Sequence, residues 1–466
     1  MKTLALKPVD AVWLMMESAD TPMHVGVLAI FTMPAGAPDD YVARLAAKMR
    51  EHPVRRAPWN YRLAGEGLTG MGSGLVEVRD VDLNYHFQQS ALPGPGGERE
   101  LGIMVSRLHS AALDRNRPLW ELHLIEGLEN RRFALFLKIH HALVSDVNAI
   151  SLAFSMLSTS SRRQDAKPLW ALSENQSGVG SAAADEALNS DRQSTDAGVS
   201  LSSLGQAGLG MLKGMISPRT ASSYLLPRAA PRSTLNRPIN QQRRFATQQF
   251  SEQRIAKLAA ATSSTVNELL TYLCGTSLRR FFKEYNALPE ASLVGLIPVS
   301  LQERGGHISG NAITGIRVEL GTQIGNPLAR LAAVKASIKT VREDRASLPD
   351  EAVTPYVLLR AAPLIASQLP GVGRFVPPAF NLRVSNTIGT GKPRYIDGAK
   401  LESIYPVSQL MQYAALSIDC VNYAGTLNIG FTGARDTLPH LQRMAVYMGQ
   451  AVTDLEELVR KGEVAA

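Results

Sequence analysis

The chain reads as an α/β protein, an α+β sandwich built twice, with two domains side by side. Three observations predict this. Short apolar runs of strand length alternate with helix-spaced segments in both halves of the sequence. A polar stretch rich in Ser, Ala and Gly, followed by a basic stretch, separates those halves. At 466 residues the chain also exceeds one ordinary domain of roughly 100–200 residues. The expected division is an N-terminal domain over 1–160, a linker over 161–244 and a C-terminal domain over 245–466.

In the first half, Val25 to Phe31 (VGVLAIF) is a continuous apolar run of buried-strand length. Tyr41 to Arg50 has helical spacing. So does Glu100 to Ala112, with Leu101, Met104, Val105 and Leu108 on one stripe. Leu122 to Ile125 and Phe133 to Ile139 read as strands joined through GLENRR, a hairpin or near-hairpin. A helix follows from about Val147 to Leu157. Ser173 to Gly210 is the polar linker. Lys213 to Arg244 then carries seven cations and no carboxylate.

In the second half, Thr265 and Glu268 form a T-x-x-E capping box ahead of a helix through Phe282. Leu293 to Ile297 is a strand ended by Pro298. Pro327 to Glu343 is an amphipathic helix. Ala415 to Val421 and Thr426 to Phe431 are strands around the turn NYAG, and the last helix runs from about Leu438 to Val459.

Composition excludes several classes. The net charge of +8 suits anionic partners such as a CoA phosphate or an acidic lipid surface. The cations have few aromatics among them, so nucleic acid is set aside. The two cysteines, Cys274 and Cys420, give neither zinc spacing nor a disulfide framework and fit a reducing compartment. No apolar run reaches the roughly 20 residues of a membrane-spanning helix, and no leader is visible at the start. The expectation is a cytoplasmic protein whose membrane contact is peripheral. GTGKP at Gly389 to Pro393 lacks phosphate-loop spacing.

The chemistry-bearing stretch is FALFLKIHHALVSDVNAI, Phe133 to Ile150. An apolar strand ends in two histidines. Strand side chains alternate, so His140 and His141 should face opposite sides, with His141 continuing the row Phe133, Leu135, Leu137, Ile139. A neutral imidazole is a suitable general base for a hydroxyl near pH 7. Taken alone, the pair also fits a hydrogen-bonded core histidine. Ser145, four residues after His141, could form a Ser-His dyad, but no G-x-S-x-G turn supports one. Metal binding by His140, His141 and Asp146 is disfavoured because adjacent strand histidines diverge.

This stretch resembles the HHxxxDG motif of the CoA-dependent acyltransferase superfamily, and most closely the bacterial wax ester synthase/diacylglycerol acyltransferase family. PMHVG (Pro22 to Gly26), PLWE (Pro118 to Glu121), TLNRPINQQRRF (Thr234 to Phe245), VNEL (Val266 to Leu269), IPVS (Ile297 to Ser300), Ser385-Asn386 and the tail from Asp436 to Pro439 are similar to that family's landmarks, in order. The resemblance implies two chloramphenicol-acetyltransferase-like domains with a tunnel between them. It implies that His141 takes the proton of an acceptor hydroxyl. The alkoxide then attacks the acyl-CoA thioester, with no covalent acyl-enzyme and no metal or cofactor. Acyl-CoA is the donor, and diacylglycerol or a long-chain alcohol the acceptor. The working place is the cytoplasm or the surface of the inner membrane or of lipid bodies.

Site expectations follow. His140 orients the loop. Asn386 is the candidate oxyanion donor, with Ser385 beside it. Asn267 lines the tunnel, Trp120 walls it or packs in the core, and Arg243 and Arg244 are candidates for the CoA phosphates. Trp13, Met15 and Met16 are core residues, the wall of an acyl channel or a membrane-facing patch. The sequence departs from the motif at Ser145, where the family has Asp, and at Asp146, where it has Gly, and these two are expected to stand in for the motif acid. After Asn386 it reads Thr387 to Thr390 in place of a Val-Pro-Gly-Pro turn. These departures carry a rival expectation, a catalytically weakened or inactive paralogue that binds acyl lipids or a partner.

Overall fold

The fold is seen in a computed structural model, which describes residues 3–4, 6, 8–65, 74–172, 229–298, 315–346, 364, 366–368 and 371–463. The polar linker expected over Ser173 to Gly210 lies outside these residues. So do Lys213, Arg219 and Arg228 of the basic stretch and the Val299-Ser300 end of IPVS.

Two six-stranded sheets carry the molecule. The first contains β2 (His24–Thr32), β5 (Phe87–Ala91), β6 (Trp120–Leu128), β7 (Arg132–His140), β12 (Tyr395–Ile396) and β13 (Ala399–Val407), in the order β12-β13-β2-β7-β6-β5. The second contains β8 (Arg243–Ser251), β9 (Val294–Pro298), β10 (Gly315–Glu319), β11 (Leu382–Thr390), β14 (Leu416–Tyr423) and β15 (Thr426–Ala434), in the order β10-β9-β11-β14-β15-β8. A small sheet of β1 (Thr3–Leu4), β4 (Leu75–Glu77) and β3 (Tyr61–Leu63) sits beside them.

The predicted hairpin is β6–β7. Its turn works because Asn130 and Arg131 adopt φ of 61° and 53°, the left-handed region a tight reversal needs. On β2 and β7 the side chains sort by parity. Val25, Val27, Phe31, Phe133, Leu135, Leu137 and Ile139 pack under α2 (Tyr41–Arg50) and α5 (Asp146–Ser155). Leu28, Ile30, Ala134 and Phe136 face α4 (Glu98–Ser110), together with Phe245, Tyr405 and Val407. Among the described residues this lobe also has α1 (Pro8–Met16) and the short α3 (Leu83–His86).

In the second lobe, α6 (Glu252–Ala261), α7 (Val266–Glu284) and α9 (Gln442–Arg460) bury an apolar face on the sheet. The amphipathic α8 (Pro327–Ala346) packs Val334 and Ile338 on Val318 of β10. The capping box is formed: the Thr265 hydroxyl accepts the Glu268 N–H at 3.2 Å, and the Glu268 carboxylate accepts the Thr265 N–H at 2.8 Å.

The two lobes exchange chain. β12 and β13 belong in sequence to the expected second domain, yet β13 pairs antiparallel with β2 from Lys400↔Thr32 to Val407↔Gly26. β13 also packs against β14 and β15 of the second sheet. Two glycines permit these crossings. A Cβ on Gly26 would lie 2.7 Å from the Phe136 ring, and one on Gly430 would lie 2.2 Å from the Pro406 carbonyl oxygen. An apolar cluster drawn from both lobes fills the junction. Trp13, Leu14, Met16, Met23 and Ala142 meet Val294, Phe380, Met411 and Ala414 there.

Candidate active site

The last residue of β7 is His140, opposite His24 of β2. The His140 ring is 0% exposed. Its Nδ1 accepts the backbone N–H of Ala142 at 3.1 Å, so in the neutral ring the hydrogen sits on Nε2. That edge faces Glu17 Oε1 at 3.5 Å. Glu17 follows α1, accepts the Met23 N–H at 3.0 Å and lies 3.7 Å from Arg115. Burial pushes its carboxyl up, but the His140 contact, the Met23 N–H and Arg115 outweigh this and hold it below the ordinary carboxylate range.

His141 lies just past the strand. Its N–H donates to the Met23 carbonyl at 2.8 Å, which extends the β2–β7 ladder by one residue. Its ring stacks on Trp13, with centroids 3.8 Å apart and planes at 27°. The Trp13 indole N–H is buried and has no acceptor among the described residues. The chain then turns tightly, the His140 carbonyl accepting the Leu143 N–H at 2.9 Å. Ser145 is the N-cap of α5, its hydroxyl accepting the Asn148 N–H at 3.4 Å. The hydroxyl therefore holds the helix start. Asp146 opens α5, and its side chain lies outside the described residues.

From the second lobe, β11 runs beside α5. It carries Ser385, which is buried, and Asn386, which is exposed. Asn386 Nδ2 donates to Asn267 Oδ1 at the start of α7, at 2.7 Å. Two residues chosen from separate motifs thus meet. Ser385 lies on the strand face of Arg383, whose guanidinium is 3.2 Å from the Asp419 carboxylate.

Below the histidine loop the α4-side face of the first sheet is lined with titratable groups. Lys138 is fully buried, with its ammonium 3.2 Å from Glu121, and His123 Nε2 approaches the same carboxylate oxygen at 3.1 Å. His24 Nε2 is 2.9 Å from the His109 carbonyl, and His109 Nε2 is 3.1 Å from the Ser408 carbonyl. Burial, then the Lys138 charge, drives the His24 imidazole well below its ordinary value, so it is neutral.

Three expectations need correction. Trp120 walls no tunnel: it is 0% exposed, donates its N–H to the Trp59 carbonyl at 2.9 Å and packs against Trp59, Trp170 and His86 in the core. Arg243 is turned inward. It is buried, and its guanidinium N–H groups go to the carbonyls of Asn240, Gln242 and Asp20. Burial brings its pKa down to about 10. Arg244, half-buried beside it, keeps an Nε without a partner among the described residues. Third, His141, which as the base of the implied tunnel should line an open passage, is covered in this structure. It is 4% exposed because Trp13 covers the ring. Glu17 escaped the sequence reading. Its signal was a carboxylate closing the apolar run Val12 to Met16, just before PMHVG.

Neither cysteine serves as nucleophile. Both are buried in the second lobe, and burial pushes both thiols up, Cys274 to about 12. Two lobes, each on a six-stranded sheet, with a fixed histidine loop at their junction, define a two-lobed acyl-transfer fold. The first condensation domain of the CDA synthetase shares it, with a TM-score of 0.53 at 15% identity over 98% of this chain and 96% of that one. Residues 6–270 match the wax ester synthase/diacylglycerol acyltransferase catalytic domain, and 309–456 match the C-terminal domain of the same family. The chain belongs to that family and is an acyltransferase of its kind. The solved wax ester synthase/diacylglycerol acyltransferase from Marinobacter aquaeolei VT8 is 34% identical, with a TM-score of 0.81 over 98% of this chain and 100% of that chain. A Mycobacterium tuberculosis relative, provisionally named a diacylglycerol O-acyltransferase, is 38% identical over 97% of this chain and 96% of its own. Another from that species, tgs2, whose name carries the same activity, is 34% identical over 97% and 99%. Among the described residues no helix is long and apolar enough to cross a membrane.

Proposed function

We propose that the protein transfers a fatty acyl group from acyl-CoA to the hydroxyl of diacylglycerol or of a long-chain alcohol, with His141 as general base. The names of its relatives supply the substrate classes. The observation that carries the assignment is the anchoring of His141: its backbone is tied to Met23, its ring is held by Trp13, and its neighbour His140 is fixed by Ala142 and Glu17. The acceptor displaces Trp13 from the imidazole and gives its proton to the ring. The alkoxide bonds to the thioester carbonyl carbon, and the oxyanion is met by the Asn386 amide. The C–S bond breaks, and the CoA thiolate takes the proton from His141. No acyl-enzyme forms.

The Ser145 cap and the Glu17–His140 contact hold the loop in shape without an acid at the motif position. This favours the enzyme over the inactive paralogue. Such lipophilic acceptors reside in lipid phases, so the protein works at a bilayer or lipid-body surface. Arg244 remains a candidate contact for CoA phosphate.

The test is CoA release from palmitoyl-CoA by the purified full chain, with hexadecanol or dipalmitoylglycerol as acceptor. Ester formation that His141→Ala abolishes supports the reading. A wild-type chain that forms no ester with either acceptor, or a variant that forms it at the wild-type rate, overturns it.

A further inference from the structure

The turn at residues 371–376 presents large apolar side chains to solvent. Phe375 is 69% exposed and Val372 is 42% exposed, and Pro377 is exposed beside them. Isolated exposed apolar residues are ordinary, but an apolar cluster set among cations marks a contact surface. The turn is well held: the Phe375 N–H donates to the Val372 carbonyl at 3.0 Å and the Val376 N–H to the Gly373 carbonyl at 3.2 Å. The Arg374 guanidinium lies 4.6 Å from the Phe375 ring centroid.

Charge identifies the partner. Between Glu351 and Asp397 the sequence has five cations and no carboxylate, and Lys213 to Arg244 has seven and none. Described parts of the two stretches, 230–232 and 374–381, meet at this turn. Ala230 donates its N–H to the Pro378 carbonyl at 2.8 Å, Asn381 Nδ2 donates to the Pro231 carbonyl at 2.7 Å, and Arg232 reaches the Arg374 carbonyl at 3.4 Å. Arg232 and Arg374 are both exposed. Behind the turn, Leu364, Phe380 and Ala414 line a small pocket and belong to the apolar cluster that holds Trp13 and Ala142, the neighbours of His141. Apolar side chains therefore run from the exposed turn to the histidine loop.

We propose that the turn Val372–Phe375, with Arg232 and Arg374, docks the protein on an acidic phospholipid bilayer and opens toward His141 the path by which the lipid acceptor enters. The apolar tips enter the lipid surface and the guanidinium groups meet the anionic headgroups. The inference rests on the acceptor reading above, and its test separates the two.

The full chain is spun down with sucrose-loaded vesicles of phosphatidylcholine with or without phosphatidylglycerol. The wild type should co-sediment with the acidic vesicles, less so as salt is raised. Val372→Ser/Phe375→Ser should lower that partition by about tenfold. Arg232→Gln/Arg374→Gln should abolish the preference for phosphatidylglycerol. Transfer from palmitoyl-CoA to diacylglycerol in those vesicles should fall in parallel, while transfer to hexanol in buffer stays at the wild-type rate. Variants that sediment like the wild type overturn the proposal. So does an equal loss with hexanol, or a patch that instead mediates a dimer lost in Val372→Ser/Phe375→Ser. If the wild type fails even with hexanol, the acceptor reading falls, and sedimentation still decides the docking surface.

Discussion

The strand ending at His140-His141 and the strand carrying Ser385-Asn386 reach the junction from different sheets and are built differently. At the end of β7 both imidazoles are buried, both backbone N–H groups are bonded, and Glu17 and Trp13 fix the two rings. On β11 the Asn386 amide is exposed and tied to the Asn267 side chain. The face below β7 gathers Lys138, Glu121, His123, His24 and His109, whereas the buried charges of the second lobe include Asp419, beside Arg383, and Arg330, which donates to the Thr276 hydroxyl. The difference teaches a division of labour. On the function proposed above, the first lobe would hold the base in one position before substrate arrives, and the second lobe would supply a polar group that adapts once it has.

Breaking the first lobe's charge network should produce the largest change. Lys138→Met leaves Glu121 buried without its cation and should lower unfolding free energy by about 3 kcal/mol, seen as a shifted urea midpoint. Adding Glu121→Gln should recover part of it.

On the second lobe, Asn386→Ala should slow ester formation by about 10² in kcat if its amide meets the oxyanion. Asn267→Ala, which only frees that amide, should do less. Equal losses would make the pair a structural tie.

Glu17→Gln should lower kcat about tenfold with little change in KM, because the carboxylate acts on substrate only through His140. A rise in KM at constant kcat would mean that Glu17 contacts substrate instead.

The smallest effect is on pH. Folded His24 stays neutral, while the unfolded chain takes a proton below about pH 6.5. The unfolded state then binds more protons, so stability is full above that pH and falls as pH drops toward the folded value. Glu17, held below the ordinary range, adds a loss of the same sign below about pH 4.5. Urea midpoints at about pH 7.5 and about pH 5.5 should differ for the wild type and less for His24→Asn.

Much of this was legible in the sequence because it is local. The β6–β7 hairpin, the Thr265 cap of α7 and the mixed α/β halves announce themselves through runs, spacing and turn residues. Asn267 and Asn386 were chosen from separate motifs, and the fold joins them. What stayed hidden is tertiary. Nothing in the pattern of Ala399 to Val407 says which sheet it enters, so its place beside β2 was invisible. The contact of Glu17 with His140 depends on where α1 packs. Trp120 looks alike as core or tunnel wall because both demand an apolar ring, and only its bond to the Trp59 carbonyl decides. Arg243 read as a free cation until its carbonyl partners appeared.

The most direct test compares the two adjacent histidines under one set of conditions. kcat/KM for palmitoyl-CoA and hexadecanol is measured for His141→Gln and His140→Gln. The loss should be about 10³ at His141, which exchanges the proton, and about tenfold at His140, which only orients the loop. A His141→Gln enzyme that keeps wild-type kcat/KM, or a larger loss at His140 than at His141, would contradict the assignment of the base.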